Sequence, residues 1–479
     1  MSSVPDILES PEEVLTTLTR DGRRRWMYPT ESRGRYHRPR RRVAWLLILL
    51  WLALPLTPVG GYPAVLLDVV HREFAFFGLV FYPTDTVLLM AFLIGVITLV
   101  VLGTALLGRV WCGWGCPQTV YLEFLFRPIE RFFEGAEHVR KRRDEGPQSM
   151  DRTLRRAGKW TAFTLVSVLL AHTFVSYFVG WKQLAVWMTG PPADHWGFFV
   201  LMAATSGLVL FNFGYFREQM CTIACPYARM QSVLLDPDSL IVSYDPVRGE
   251  PRGRRSRAVL KAETHGLLPA AGDCIDCLAC VRTCPTGIDI REGLQMECIA
   301  CTQCIDACDA IMDRIGKPRG LIDYTSENRL SGKPARILRP RTVLYSLLLL
   351  ISLSAFTTVV LTRQAYDVNV GRVTGEPFTV LPDGRVANRL RLRVRNQTGE
   401  AASFLVTAVQ PAGSEVRPVG IQPVTLDPGE MTRLEVWVVL PSDHLPGGSA
   451  PVELRLAFSD GSTREVAYTL LGPARPLAP

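Results

Sequence analysis

Residues 274–309, CIDCLACVRTCPTGIDIREGLQMECIACTQCIDACD, decide how the rest of the chain is read. Cys274, Cys277, Cys280 and Cys284 form C-x2-C-x2-C-x3-C, followed by Pro285. Thirteen residues later Cys298, Cys301, Cys304 and Cys308 repeat the spacing, followed by Asp309 in place of proline. Three closely spaced thiolates wrap three irons of a cube, and the fourth cysteine reaches the other cube. The pattern therefore assigns Cys274, Cys277, Cys280 and Cys308 to one 4Fe–4S cluster, and Cys298, Cys301, Cys304 and Cys284 to a second. Two structural zinc sites are the alternative, but zinc favours paired C-x2-C knuckles over three cysteines at tight intervals.

This is the spacing of a two-cluster bacterial ferredoxin, yet the chain around it is not that of a soluble carrier. Among 479 residues 48% are hydrophobic. Runs 43–67, 86–108, 196–216 and 342–362 carry no charge, and run 160–181 carries only His172. Each is about long enough to cross a hydrocarbon core of roughly 30 Å as a helix. Five transmembrane helices are expected. The first run starts late and lacks a small-residue cleavage site, so it is not read as a signal peptide.

Basic residues orient the spans. Lys plus Arg number 10 before the first run, 1 in 68–85, 11 in 109–159, 1 in 182–195 and 18 in 217–341. The alternation puts the N-terminus, the 109–159 loop and the ferredoxin-like insert in the cytoplasm, and the tail after residue 362 outside. The net charge of +8 is mostly this bias. The N-terminal RGRYHRPRRR (33–42) accordingly reads as a membrane anchor rather than a nucleic-acid contact. All twelve cysteines fall on the cytoplasmic side, where clustered thiols are metal ligands more often than disulfides.

The four remaining cysteines form a second repeat. RVWCGWGCPQTVYLEFL (109–125) follows the second run and EQMCTIACPYARMQSVLL (218–235) the fourth. Each contains C-x3-C-P, so a two-helix unit is duplicated. Proline favours the first position of a helix, which makes Cys116 and Cys225 N-caps, where a thiol tends to have a lowered pKa. Cys112 and Cys221 precede them by about one helical turn. The two pairs can converge on one soft metal, Cu(I) or zinc, with Met220 and Met230 as further thioethers or as packing. Buried apolar thiols, or a quinone site using Trp111, Trp114 and Tyr227, are the other readings. His172 lies in the outer half of its span and is expected to hydrogen-bond a neighbouring helix.

The tail alternates apolar and polar residues in short runs such as NRLRLRVRNQ (388–397) and TRLEVWVVL (432–440). About seven strands fit an immunoglobulin-like sandwich without its cysteine–tryptophan–cysteine hallmark. The expected domains are a basic segment 1–42, a membrane domain 43–226, a ferredoxin-like domain 227–341, a fifth helix 342–362 and a β domain 363–479.

Several stretches together resemble the cytochrome c oxidase accessory family called CcoG, FixG or RdxA: MYPTESRGRYHRPRR (27–41), both C-x3-C-P motifs, YDPVRGEPR (244–252), the cysteine repeat and GLIDYTSEN (320–328). MYPT stands where the family usually has Tyr-Pro-Arg. The resemblance implies a bacterial inner-membrane protein that acts in cbb3-type oxidase assembly as a cupric reductase. It would pass electrons through the two clusters to copper at Cys112, Cys116, Cys221 and Cys225. Copper chaperones and oxidase assembly factors are the implied partners, with the electron donor and any homo-oligomer left open. A quinol-linked electron-transfer subunit, or a copper-binding assembly factor without turnover, are the alternatives.

Overall fold

Among the described residues four helices are long and apolar enough to cross a membrane: Thr86–Leu107, Met150–Val179, Pro192–Phe216 and Pro340–Leu361. Each matches an expected run. Their outward faces carry exposed Leu89, Ile97, Leu99, Leu165 and Leu353, as a lipid-facing helix requires. The computed structural model describes Thr17 and residues 23–82, 85–254, 272–398, 400–410 and 413–473.

The first run, expected as one helix over 43–67, is divided. Its helix is His37–Ala53, 17 residues, or about 26 Å at ~1.5 Å per residue. Pro55, Pro58 and Pro63 then remove amide donors, and Gly60 and Gly61 take φ of 59° and 87°. Strands Val65–Asp68, Glu73–Phe76 and Leu79–Phe81 follow as an antiparallel sheet. Apolarity read the run as helix, but its turn residues end the helix at Ala53.

Contacts divide the chain into two units, 1–56 with 87–356, and 57–86 with 357–479. The expected membrane domain 43–226 therefore loses residues 57–86 to the tail unit. In the first unit, strands Ile241–Tyr244 and Ile322–Thr325 pair antiparallel and bracket the ferredoxin-like lobe. The basic arm is strapped onto this lobe. Thr30 N–H donates to Arg282 O at 3.0 Å, Ser32 Oγ to Gln303 O at 2.8 Å, and the amides of Tyr36 and His37 to Asp306 at 3.0 and 2.8 Å. A Cβ on Gly34 would lie 2.5 Å from the Asp306 carboxyl, so only glycine lets the arm pass. Part of the predicted membrane anchor is thus a docking strap.

The loop after Thr86–Leu107 folds around a buried ion network. Arg217 holds Glu130 through two bonds of 3.0 Å, Arg140 also pairs with Glu130, and Arg24 reaches Glu218 at 3.3 Å. In the second unit, one sheet orders strands Glu415–Pro418, Met431–Leu440, Val386–Asn396 and Tyr366–Arg372, with Thr379–Val380 added to Val386–Asn396. The facing sheet orders Val424–Leu426, Ala402–Gln410, Ser449–Phe458 and Thr463–Leu471. Alternate residues Leu390, Leu392, Val394, Val436, Val438, Leu454 and Leu456 fill the core between them, the pattern of a two-sheet sandwich. The inserted sheet 57–86 belongs to this unit, where Arg363 donates to Asp85 at 2.8 Å and the Arg395 guanidinium lies 4.2 Å over the Tyr82 ring.

Candidate metal centres

The eight ferredoxin-like cysteines surround two hollows. Cys274, Cys277, Cys280 and Cys308 line one, walled by Ile275, Leu278, Met312, Leu321 and Ile322. Cys284, Cys298, Cys301 and Cys304 line the other, with Cys280, Ile288, Ile290 and Ile299. The first hollow takes three cysteines from the first repeat and Cys308 from the second; the other takes three from the second repeat and Cys284 from the first, with Cys280 on the wall of both. The same backbone trick recurs 24 positions apart. Asp276 and Ala300 have φ of 53° and 50°, and Leu278 and Thr302 have 57° and 64°. Non-glycine residues held left-handed cost about 1–2 kcal/mol each, and such strain collects at functional sites. The turns bring the amides of Ala300 and Gln303 onto the sulfurs of Cys298 and Cys301. Burial pushes the Cys280 and Cys301 thiols up to about 12 and Cys298 to about 11. An apolar hollow ringed by four cysteine sulfurs fits an iron–sulfur cube, whose cationic core replaces the thiol protons.

The membrane cysteines also come together, and the duplication is visible in the backbone. Cys116 and Cys225 are N-caps with extended ψ of 126° and 113°, each followed by proline at the first helical position. Four residues before the first cysteine of each copy the chain turns left-handed, at Gly108 (φ 56°) and Arg217 (φ 53°). Cys112 feels the charges of Cys116 and Cys225, and Cys221 those of Cys116, Cys112 and Cys225. The expected lowering of the N-cap thiols is not found for Cys116. Burial raises it, and the Gln118 and Thr119 amides only partly offset that. Burial likewise pushes Cys112 up to about 12 and raises Cys221. Among the described residues no three His, Cys, Asp or Glu side chains converge tightly enough for a single metal ion.

A short contact joins the membrane cysteines to the second hollow. The turn Val110–Trp114, which carries Cys112, lies flush against the loop 298–301. A Cβ on Gly113 would sit 2.5 Å from Ala300 O and 2.8 Å from Ile299 O. Arg40, fully buried, donates from Nε to Gly113 O at 2.9 Å. Tyr324 OH donates to Ala300 O at 3.0 Å and accepts from Trp114 Nε1 at 3.0 Å. Arg109, 6% exposed, donates to Met296 O, to Cys298 O at 2.9 Å and to Ala228 O at 3.3 Å. Its charge acts on both Cys112 and Cys298. Gln231, fully buried, faces Cys112 Sγ at 3.6 Å and donates to Gly108 O at 3.3 Å.

Sequence reasoning missed Arg109, Arg40, Gly113, Gln231 and Tyr324. Only Arg109 left a signal, as the single charge between an apolar run and C-x3-C-P. The other proposed participants are engaged elsewhere or exposed, apart from Trp114, which is bonded to Tyr324. Met230 is exposed, Trp111 is 57% exposed, and Tyr227 OH is engaged with Thr104 Oγ1 at 2.8 Å. His172 bonds through Nδ1 to Val168 O at 2.8 Å. That carbonyl belongs to its own helix, one turn back, rather than to a neighbour as expected.

Three family models match the chain: a 4Fe-4S dicluster domain over residues 216–327, a 4Fe-4S binding domain over 88–136, and the IG-like fold at the C-terminal of FixG over 356–473. Protein RdxA of Cereibacter sphaeroides is 37% identical, covering 88% of this chain and 89% of its own length. Nitrogen fixation protein FixG of Rhizobium meliloti is 33% identical over 92% of this chain and 91% of its own. Protein RdxB of C. sphaeroides is 32% identical over 86% and 87%. With apolar spanning helices, a dicluster lobe and an IG-like tail matched along relatives of nearly full length, the chain belongs to the FixG/RdxA family of membrane iron–sulfur electron-transfer proteins.

Proposed function

We propose that this protein reduces Cu(II) to Cu(I) for the copper centre of a cbb3-type oxidase, drawing electrons through two 4Fe–4S clusters. The observation that carries the reading is the Gly113 contact. It sets the Cys112 turn against the loop holding Cys298 and Cys301, so a relay and a thiol-rich acceptor share one wall. Cys274, Cys277, Cys280 and Cys308 would hold one cluster, and Cys298, Cys301, Cys304 and Cys284 the other. A bound 4Fe–4S cluster supplies one electron at a time, which matches the one-electron step from Cu(II) to Cu(I). Cys112, Cys116, Cys221 and Cys225 present the copper with soft sulfur, which favours Cu(I) as product. Copper chaperones and oxidase assembly factors would take that product.

The lobe and the N-terminal arm lie on the cytoplasmic side and the IG-like tail on the periplasmic side of the inner membrane in this reading. Five crossings are part of it. What supports the fifth is the strap. Residues 30–37 are bonded to the ferredoxin-like lobe, and the helix His37–Ala53, about 26 Å long, continues directly from them.

A second reading is favoured by two observations. The family model over 88–136 is a 4Fe-4S binding domain, and the four membrane cysteines do not close onto a single-ion site. One tetrahedral ion with ~2.3 Å bonds needs sulfurs about 3.8 Å apart, whereas a cube spreads its four ligands wider. A third cube across Cys112, Cys116, Cys221 and Cys225 would make copper bind elsewhere. Iron and copper analysis of anaerobically purified protein separates the two. About eight irons per chain, with copper binding lost on changing Cys112 and Cys116 to alanine, supports copper at these cysteines. About twelve irons, falling to about eight in that variant, supports the third cube. Full iron and full cupric reduction in the variant would show that these cysteines take no part.

A further inference from the structure

A further cavity, of about 250 Å³ and with no cysteine in its lining, is bounded by His172, Met188, His195 and Met202 among Trp187, Phe198 and Phe199. His172 sits thirteen residues beyond Lys159 in the same helix, about 20 Å along its axis. Three separate pieces of chain deliver the four side chains: the helix Met150–Val179, the turn after Trp181–Trp187, and the Pro192–His195 turn running into Trp196–Phe211.

We propose that this cavity is a second copper site, taking Cu(I) through the His172 and His195 imidazoles and the Met188 and Met202 thioethers. The His172 bond fixes its chemistry. Nδ1 must carry the proton to donate to Val168 O at 2.8 Å, which leaves the Nε2 lone pair free in a cavity-lining ring. A metal-binding histidine is ordinarily held this way, its second nitrogen given to a carbonyl. His195 is braced against Trp187, ring centroids 4.2 Å apart and 24° from parallel. Met202 Sδ is steadied by Ser206 Oγ at 3.5 Å. Gly190, Pro191 and Pro192 fix the loop between the two histidine-bearing elements. Two imidazoles and two thioethers, with no carboxylate among the lining residues, form a neutral soft set. That set suits Cu(I) and discriminates against hard cations. In the topology proposed above the cavity lies toward the periplasmic side, so it is a station for copper leaving the protein. The inference rests on the copper reading only in naming the ion.

The test measures Cu(I) affinity of the full-length protein by competition with a chromogenic Cu(I) chelator, in a background where Cys112, Cys116, Cys221 and Cys225 are all serine. That background removes the cysteine site, so failure here is distinct from failure of the reductase reading. One Cu(I) per chain should remain, and His195→Gln with Met202→Leu should weaken it by about tenfold or more. X-ray absorption on the retained copper should report mixed nitrogen and sulfur ligands. If the serine background does not fold, the same pair of changes in the parent chain should remove one Cu(I) and leave iron content and cupric reduction unchanged. Absence of Cu(I) binding in a folded serine background, or binding that ignores His195→Gln and Met202→Leu, overturns the proposal.

Discussion

Gly113→Ala puts the contact between the cysteine turn and the cluster lobe to a direct test. The added Cβ would meet Ala300 O at 2.5 Å, against about 3.4 Å for ordinary contact, so one wall must retreat by roughly 0.9 Å. Neither wall yields easily. Ala300 is held left-handed between Cys298 and Cys301, and Gly113 O is bonded to buried Arg40. Overpacking of this kind costs about 1–3 kcal/mol, or roughly fivefold to a hundredfold in the balance between docked and loosened states. Gly115→Ala is the matched control. Its Cβ would lie 2.6 Å from the Trp111 ring, but that indole is 57% exposed and can swing away. Chemically reduced protein would be mixed with Cu(II) in a stopped-flow instrument, following cluster oxidation by its visible band. Gly113→Ala should slow oxidation by at least about fivefold and lower the stability of the cluster bound by Cys298, Cys301 and Cys304, with Gly115→Ala near the parent. Equal behaviour of the two variants would refute the claim that electrons cross here.

Other expectations follow from single contacts. Glu130 is held well below the usual carboxylate range: burial alone would raise it, but Arg217 and Arg140 outweigh that. Glu130→Gln removes the two-bonded carboxylate partner of buried Arg217, leaving it Glu218 at 3.7 Å, and should cost about 3–5 kcal/mol in thermal unfolding near neutral pH. Because the folded value is depressed, the stabilisation is present above the ordinary value of ~4.3 and is lost as pH falls below it, so parent and variant should converge in acid. Asn388, fully buried, exchanges bonds of 2.8 and 2.9 Å with Leu471 across the two sheets. Asn388→Leu should destabilise the IG-like unit by about 1–3 kcal/mol while leaving iron content unchanged. Leu278→Gly relieves a left-handed φ of 57°, so cluster loss on warming should not accelerate. A periplasm-dependent reporter should be active after residue 365 and silent near residue 145. Activity at 145 would reverse the proposed orientation.

Much of this architecture was legible because its signals are periodic. Two cysteine repeats, four uninterrupted apolar runs and an alternating tail each declare themselves over many residues. The cysteine spacing leads to the expectation that each cluster draws a ligand from both repeats, and both hollows are lined by cysteines of both repeats. The first apolar run misled because composition carries no direction. Pro55, Pro58 and Gly60-Gly61 break a helix whatever the hydropathy around them. The N-cap thiols misled differently. The local rule held for the backbone of Cys116 and Cys225, but burial, a tertiary property, outweighed it in the Cys116 thiol. Gly113 and Gln231 were illegible because their meaning lies in loops more than a hundred residues away.

The two copies of the membrane motif share their extended N-caps but differ in charge, and in the function proposed above this asymmetry gives the electron path a direction. Three residues before the first cysteine stands Arg109 in one copy and Glu218 in the other. Glu218 turns into the ion network, toward Arg24 at 3.3 Å and Arg127 and Arg217 at 3.7 Å. Arg109 turns into the lobe, bonded to Cys298 O, and among the described residues no carboxylate lies within 4.0 Å of it. A buried guanidinium is costly unless negative charge compensates it. Here the available negative charge is that of thiolate sulfur when metal is bound, on the Cys298 side and on the Cys112 side at once. Each electron added to either centre makes that centre more negative and strengthens its attraction to Arg109, in a region dry enough for the attraction to count. In the function proposed above, Cys112, not Cys221, is the sulfur through which the membrane centre is coupled to the lobe. Arg109→Gln should shift the reduction potential of the cluster bound by Cys298 to more negative values and leave that of the Cys274 cluster in place.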